Sequence, residues 1–69
     1  MTARIGVHVN DRRIELYGGM QVQHALIAYD PAVYAACKRG ELVICDEHGF
    51  RVGLEGGLHA GARLFVKSP

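Results

Sequence analysis

The chain has 69 residues, which is the length of one small domain. Its eight Lys and Arg nearly balance its seven Asp and Glu, which argues against a nucleic-acid-binding protein, for which a basic excess is typical. Because 49% of the residues are hydrophobic, the chain is expected to fold rather than to be disordered. A chain of this length buries only about 60% of its unfolded surface, so we expect a thin core.

Membrane and secretion signals are not evident in the sequence. No run of about 18 apolar residues is present, and the N-terminus lacks the charged-then-apolar layout of a signal peptide. The two cysteines, Cys37 and Cys45, are too few for a disulfide-stapled secreted scaffold. We therefore expect a cytoplasmic protein, with a single domain over residues 1–69 and no membrane partner.

The chain begins with a predicted β-hairpin. Apolar and polar residues alternate over residues 3–9 and again over residues 13–17, which is the pattern of half-buried strands. Asn10-Asp11 between them is typical of a turn, because both side chains bond the local backbone and tolerate a left-handed conformation. The positions expected to face inward are Ile5, Val7, Val9, Ile14 and Leu16.

A helical segment over residues 21–39 follows a Gly-Gly break. Apolar residues recur there at helical spacing, but no Ser, Thr, Asp or Asn precedes them, so Gly19 or Gln21 has to serve as the N-cap. Asp30-Pro31 is typical of a second N-cap followed by a first helical position. The segment is therefore either two short helices or one helix kinked at Asp30-Pro31.

A second hairpin is predicted after the helical segment. The continuous apolar run Leu42–Cys45 is typical of a strand buried on both faces or packed under a neighbour. Residues 46–49 have the composition of a turn that ends in glycine, and residues 50–54 alternate. The inward positions of this second strand are expected to be Phe50, Val52 and Leu54.

The last predicted strand is Arg63–Lys67, with Leu64 and Val66 facing inward. The resulting order is strand, strand, helix, strand, strand, strand. The first and last strands are short, and each has one apolar face. The simplest arrangement that buries both apolar faces places these strands side by side in the middle of the sheet, with the helix packed over that face. We predict an α+β fold with a mixed sheet of four to five strands.

Three segments support a more specific interpretation. Residues 7–16 form the opening hairpin, and residues 19–26 follow a Gly-x-x-Val-x-x-Ala-Leu pattern. Residues 58–66 are similar to a Leu-x-x-Gly-x-x-Ile-x-Val pattern, with Leu64 at the position of Ile. In this combination the chain resembles the β-grasp (ubiquitin-like) family, and in particular the sulfur-carrier proteins of thiamine and molybdopterin synthesis and the TGS domain. The matching positions specify turns and core, so the resemblance implies a fold more than a function.

The chain departs from sulfur carriers where their chemistry takes place. Sulfur carriers work through a C-terminal Gly-Gly, which is activated as an acyl-adenylate and then becomes a thiocarboxylate. This sequence ends in Lys67-Ser68-Pro69, and Gly56-Gly57 precedes the last strand. The resemblance therefore implies either a module without this chemistry or a sulfur-carrier-like protein whose tail is processed or has lost its function. An RNA-contacting TGS-like module is a third alternative, against which the near-neutral charge argues.

No motif predicts an active site, a metal or a cofactor. The four histidines lack metal-ligand spacing, and the two cysteines lack a Cys-x-x-Cys arrangement, so we expect the cysteines to be small buried hydrophobes. No Ser-His-Asp order or carboxylate pair stands out, and neither glycine pair is followed by the Lys of a phosphate loop. We therefore expect a protein that is not an enzyme.

The polar face of the predicted sheet is the candidate site. Its expected outward residues are Arg4, Gly6, His8, Arg13, Glu15, Tyr17, Arg63, Phe65 and Lys67. Aromatic and Arg side chains anchor protein contacts, and ubiquitin-like domains commonly bind through this face. We therefore predict that Phe65, His8, Tyr17 and Arg63 contact a partner protein, with Gly6 leaving a shallow dip beside Phe65 and His8. The simpler alternative is an ordinary mixed sheet face with one exposed Phe.

Two segments are candidates for the edges of the sheet, namely Ile14–Tyr17 and Phe50–Leu54. An unprotected edge strand presents unpaired backbone groups that favour pairing with another chain. A homo-oligomer formed through an edge strand is therefore a second possible mode of association.

Overall fold

The computed structural model describes residues 3–69, which form a five-stranded mixed sheet and two helices. The elements in chain order are β1 (Arg4–Val9), β2 (Arg12–Tyr17), α1 (Val22–Tyr29), α2 (Pro31–Lys38), β3 (Val43–Asp46), β4 (Arg51–Val52) and β5 (Arg63–Lys67). The predicted α+β class is confirmed, and the helical segment is two helices rather than one kinked helix. Both helices are eight residues long, and no helix within residues 3–69 has the length and apolarity needed to cross a membrane.

The strands lie in the order β2-β1-β5-β3-β4. The first and last strands are neighbours at the centre of the sheet, as their matching apolar faces predict, and they run parallel to each other. All the other strand pairs are antiparallel. The edges are β2 and β4, the two strands that the sequence marks as candidate edges.

The central parallel pairing is short. It contains two residue pairs, His8 with Arg63 and Val9 with Leu64. Beyond them, the turn between β1 and β2 extends the contact, because the Asn10 side chain accepts a hydrogen bond from the Val66 N–H at 2.9 Å. Asn10 therefore fixes the opening hairpin to the C-terminal strand.

The same turn has the geometry of a type I′ hairpin. Asn10 has φ 49° and Asp11 has φ 67°, so two consecutive residues adopt the left-handed conformation. Asn and Asp tolerate this conformation better than other residues with a side chain. The sequence prediction of a turn at Asn10-Asp11 is confirmed.

One aspartate separates the two helices. The backbone of Asp30 is extended, and its side chain accepts a hydrogen bond from the Ala32 N–H at 2.9 Å, while Pro31 occupies the first helical position of α2. At the start of α1 the N-cap is Gln21, and its backbone N–H donates to Nδ1 of His24 at 2.8 Å. His24, at the third helical position, thus takes the role that a Glu or Gln side chain usually has in a capping box.

The core lies mainly between α1 and the β2-β1-β5 part of the sheet. Val7, Val9, Ala25 and Leu26 are fully buried, and α1 contacts both β1 and β2. By contrast, no residue of α2 is fully buried. An open cavity of about 350 Å³ remains between Cys37 of α2 and the strands β3 and β4. The helical layer therefore covers one half of the sheet more completely than the other.

The second hairpin differs from its prediction. The side chain of Asp46 accepts hydrogen bonds from the N–H groups of His48 and Phe50, each at 2.9 Å. These bonds lengthen the turn, so that β4 has only two residues and Phe50 lies outside it with 71% of its surface exposed. The inward position expected for Phe50 is wrong. In β3 only Ile44 is buried, so this strand is not buried on both faces.

Candidate interaction face of the sheet

The sheet has one face that neither helix covers, which we call the outer face. Strand alternation and register assign its residues, because partners in adjacent strands project to the same side of the sheet. From β2 across to β4 these pairs are Tyr17–Arg4, Glu15–Gly6, Arg13–His8, His8–Arg63, Lys67–Val43, Phe65–Cys45 and Cys45–Arg51. All nine residues that the sequence assigned to this face are on it.

Three of the four residues predicted to contact a partner lie together. His8 is paired with Arg63, and Phe65 follows two residues later on the same strand, about 6.6 Å along it. Phe65 is half-buried, and it belongs neither to the buried core nor to the hydrophobic residues packed against it. His8 is also half-buried, and its Nδ1 atom is buried without a hydrogen-bond partner within residues 3–69. Because Phe65 lies outside both of these groups of hydrophobic residues, its ring is not needed to fill the core.

The fourth predicted residue, Tyr17, lies at the opposite end of the face. Tyr17 is paired with Arg4, which lies four residues before His8 in β1. Phe65 lies in β5, two residues beyond Arg63, which is the parallel partner of His8. At strand spacing, Tyr17 and Phe65 are therefore about 20 Å apart along the sheet. Tyr17 is 46% exposed, and the Arg4 guanidinium carbon lies 6.0 Å from the centroid of its ring. Tyr17 does not extend the surface around Phe65.

The expected dip at Gly6 is filled by an arginine. A Cβ atom at Gly6 would lie 2.9 Å from a guanidinium nitrogen of Arg13, so that side chain lies directly over the glycine. Glu15 holds it there and also reaches Arg4, with both N–O distances at 3.5 Å. Arg4, Glu15 and Arg13 thus form an exposed ion network over β1 and β2. The predicted shallow dip beside Phe65 and His8 is wrong.

On the part of the outer face that β5, β3 and β4 form, every charged side chain is basic. Arg51, Arg63 and Lys67 are exposed and surround Phe65, and they form no ion pair among residues 3–69. We call these three residues and Phe65 the cationic cluster. Arg51 was not among the residues that the sequence predicted for this face. The alternation of residues 50–54 indicates this position, because it places Arg51 on the face opposite Val52.

The two cysteines lie on opposite sides of the sheet. Both are free and half-buried, rather than fully buried as expected. Cys45 is on the outer face beside Phe65, whereas Cys37 lines the open cavity under α2. Burial raises the pKa of the Cys37 thiol. Because the thiolate is the reactive form, this shift lowers the reactivity of Cys37 at neutral pH.

We expect Cys37 to be alkylated slowly in the folded protein. In a Cys45→Ser variant, which leaves only Cys37, iodoacetamide should react more slowly than with a free cysteine at the same pH, because burial raises the pKa of the thiol and less thiolate is present. Denaturant should remove the difference. The measurement is the rate of mass gain with and without denaturant, and equal rates in both conditions would contradict the assignment.

The remaining histidines do not form a metal site. His24, His48 and His59 are exposed, and no group of three His, Cys, Asp or Glu within residues 3–69 is arranged to hold a metal ion. His48 and His59 lie at the rim of a second open cavity of about 370 Å³, between the β3–β4 turn and the loop before β5. The apolar base of that cavity includes Val22 and Leu64.

Comparison of the chain with protein-family models, with curated proteins and with solved structures finds no match. The geometry and the charges of the outer face are therefore the basis for proposing a function.

Proposed function

We propose that this protein is a small non-catalytic binding module, or an accessory subunit, that docks a partner protein on the outer face of its sheet. The observation that supports this most directly is the position of Phe65. It is an aromatic side chain on the central strand of an uncovered sheet face, outside the core, with cations on either side of it along β5. Aromatic and Arg side chains in such central positions supply most of the binding energy in protein interfaces.

We further propose that the fold is a β-grasp. The support is the central parallel pair of first and last strands, with both helices between the second and third strands of the chain. In the sulfur-carrier alternative the sheet would be the same, and the reactive group would be the carboxylate of a C-terminal Gly-Gly. Gly56-Gly57 lies in the loop before β5, away from that position. Two free cysteines support a reducing compartment, so we place the module in the cytoplasm.

A Phe65→Ala variant tests the proposed function. Affinity capture from native host lysate, followed by mass spectrometry, should recover a partner with the wild-type protein and at least about tenfold less of it with the variant. Because Phe65 lies outside the core, the variant should keep its fold and unfold within a few degrees of the wild-type protein. The matched control is Phe50→Ala, which removes an exposed aromatic ring elsewhere.

The outcomes of this experiment are distinct. A partner that is lost with Phe65→Ala and retained with Phe50→Ala supports docking on the outer face. A partner that both variants retain places the contact elsewhere, for instance at the exposed edge of β2. If the wild-type protein captures no partner, the proposal of a binding module fails.

A further inference from the structure

Resting on the proposed function, we infer that the docked partner presents an acidic polypeptide segment to the cationic cluster around Phe65. Basic and acidic side chains are unevenly distributed between the outer face and the rest of the molecule. The outer face has five of the eight basic side chains, Arg4, Arg13, Arg51, Arg63 and Lys67, and only one of the seven acidic ones, Glu15. The rest of the molecule has three basic and six acidic side chains. A nearly neutral chain thus has one strongly positive face.

The positive charge available to a partner is concentrated at one end of that face. Glu15 neutralises part of the charge of Arg4 and Arg13 over β1 and β2. Arg51, Arg63 and Lys67 have no such carboxylate in the part of the chain that the structure describes. Arg51, Cys45 and Phe65 form one row across three strands, about 10 Å long, and Arg63 and Lys67 flank Phe65 at about 6.6 Å along β5. An extended segment that places carboxylates on either side of an apolar residue fits this arrangement.

Two observations favour a polypeptide over a nucleic acid. Single-stranded nucleic acids bind to several exposed aromatic rings on which successive bases stack, whereas this face has one half-buried ring, Phe65, with Tyr17 about 20 Å away and in contact with Arg4. The acidic residues Asp46 and Glu47 also border the cavity that Arg63 lines, next to the cluster. A long polyanion that continued past the sheet would approach these carboxylates, while a short acidic segment would not.

The test is an NMR titration of the isotopically labelled protein with three probes. The first is a short peptide that alternates glutamate with valine and leucine, the second is the same peptide with glutamine in place of glutamate, and the third is a short oligothymidine. We expect the acidic peptide to shift the amide signals of Arg51, Arg63, Phe65 and Lys67. The binding should weaken severalfold when the salt rises from about 0.05 M to about 0.2 M, because exposed charges are screened.

A matched pair of triple variants isolates the contribution of charge. Arg51→Gln, Arg63→Gln and Lys67→Gln together should weaken binding of the acidic peptide about tenfold or more, since each exposed ion pair contributes a small amount. The control variant combines Arg12→Gln, Lys38→Gln and Arg39→Gln, which removes the same charge from residues off the outer face. It should bind the peptide nearly as the wild-type protein does.

Several results would overturn the inference. These are no binding of the acidic peptide, equal binding of its glutamine version, shifts outside the cluster, or tighter binding of oligothymidine at the same face. The proposed function is tested separately by the Phe65→Ala capture. If that variant loses its partner while the triple variant of the cluster retains it, docking on the outer face stands and only its acidic character is wrong.

Discussion

Replacement of Leu26 by alanine is expected to lower the free energy of unfolding by about 2–5 kcal/mol, which is the usual range for a fully buried leucine. Leu26 has no exposed surface, and it lies in α1 among the buried residues of β1 and β2. A domain of this size has a total stability of only about 3–10 kcal/mol. The variant should therefore unfold at a temperature about 10–30 °C lower, as followed by circular dichroism.

The neighbouring residue provides the control for this prediction. Ile27 lies in the same helix and is 43% exposed, so Ile27→Ala removes a side chain of similar volume without leaving a cavity. Alanine is also the better helix former, which offsets part of any lost contact. We expect the Ile27 variant to unfold within a few degrees of the wild-type protein. Equal destabilisation by both variants would contradict a core located between α1 and the sheet.

The sequence was most informative where local pattern and tertiary packing agree. The alternation in β1, β2 and β5 identifies both the strands and their buried faces, because β1 and β2 pack under α1 and Leu64 of β5 belongs to the same core. The second hairpin was less predictable for a local reason. The Asp46 side chain bonds to the backbone of Phe50 and extends the turn, and this bond depends on a side-chain conformation that periodicity does not describe.

For the candidate site, the sequence could assign residues to a face but not to a position on it. Alternation places Tyr17 and Phe65 on the same side of the sheet, yet the parallel register of β1 and β5 puts them at opposite ends. The sequence also did not predict that basic residues are concentrated on the outer face, because neighbouring residues of a strand project to opposite faces. Arg12 and Arg13 are one basic pair in the sequence, but the strand directs Arg13 to the outer face and brings Arg12 within 5.8 Å of the Tyr29 ring of α1.

Replacement of Asn10 by alanine is expected to lower the free energy of unfolding by about 2 kcal/mol, from two separate causes. The side chain of Asn10 accepts the hydrogen bond from the Val66 N–H, and loss of such a bond costs about 0.5–1.5 kcal/mol. Alanine at φ 49° is also strained in the left-handed conformation, by about 1–2 kcal/mol. Chemical denaturation of the variant and the wild-type protein measures the combined loss.

Two single variants separate these causes. Asn10→Gly removes the hydrogen bond but tolerates the left-handed conformation, and Asp11→Ala introduces the strain without touching β5; each should cost about 1 kcal/mol. Hydrogen exchange distinguishes them further, because the Val66 amide should lose protection in both Asn10 variants and keep it in Asp11→Ala. If Val66 stays protected when Asn10 is replaced, the two residue pairs between β1 and β5 are sufficient to hold the C-terminal strand. The turn would then stabilise the first hairpin alone, and the surface around Phe65 would not depend on it.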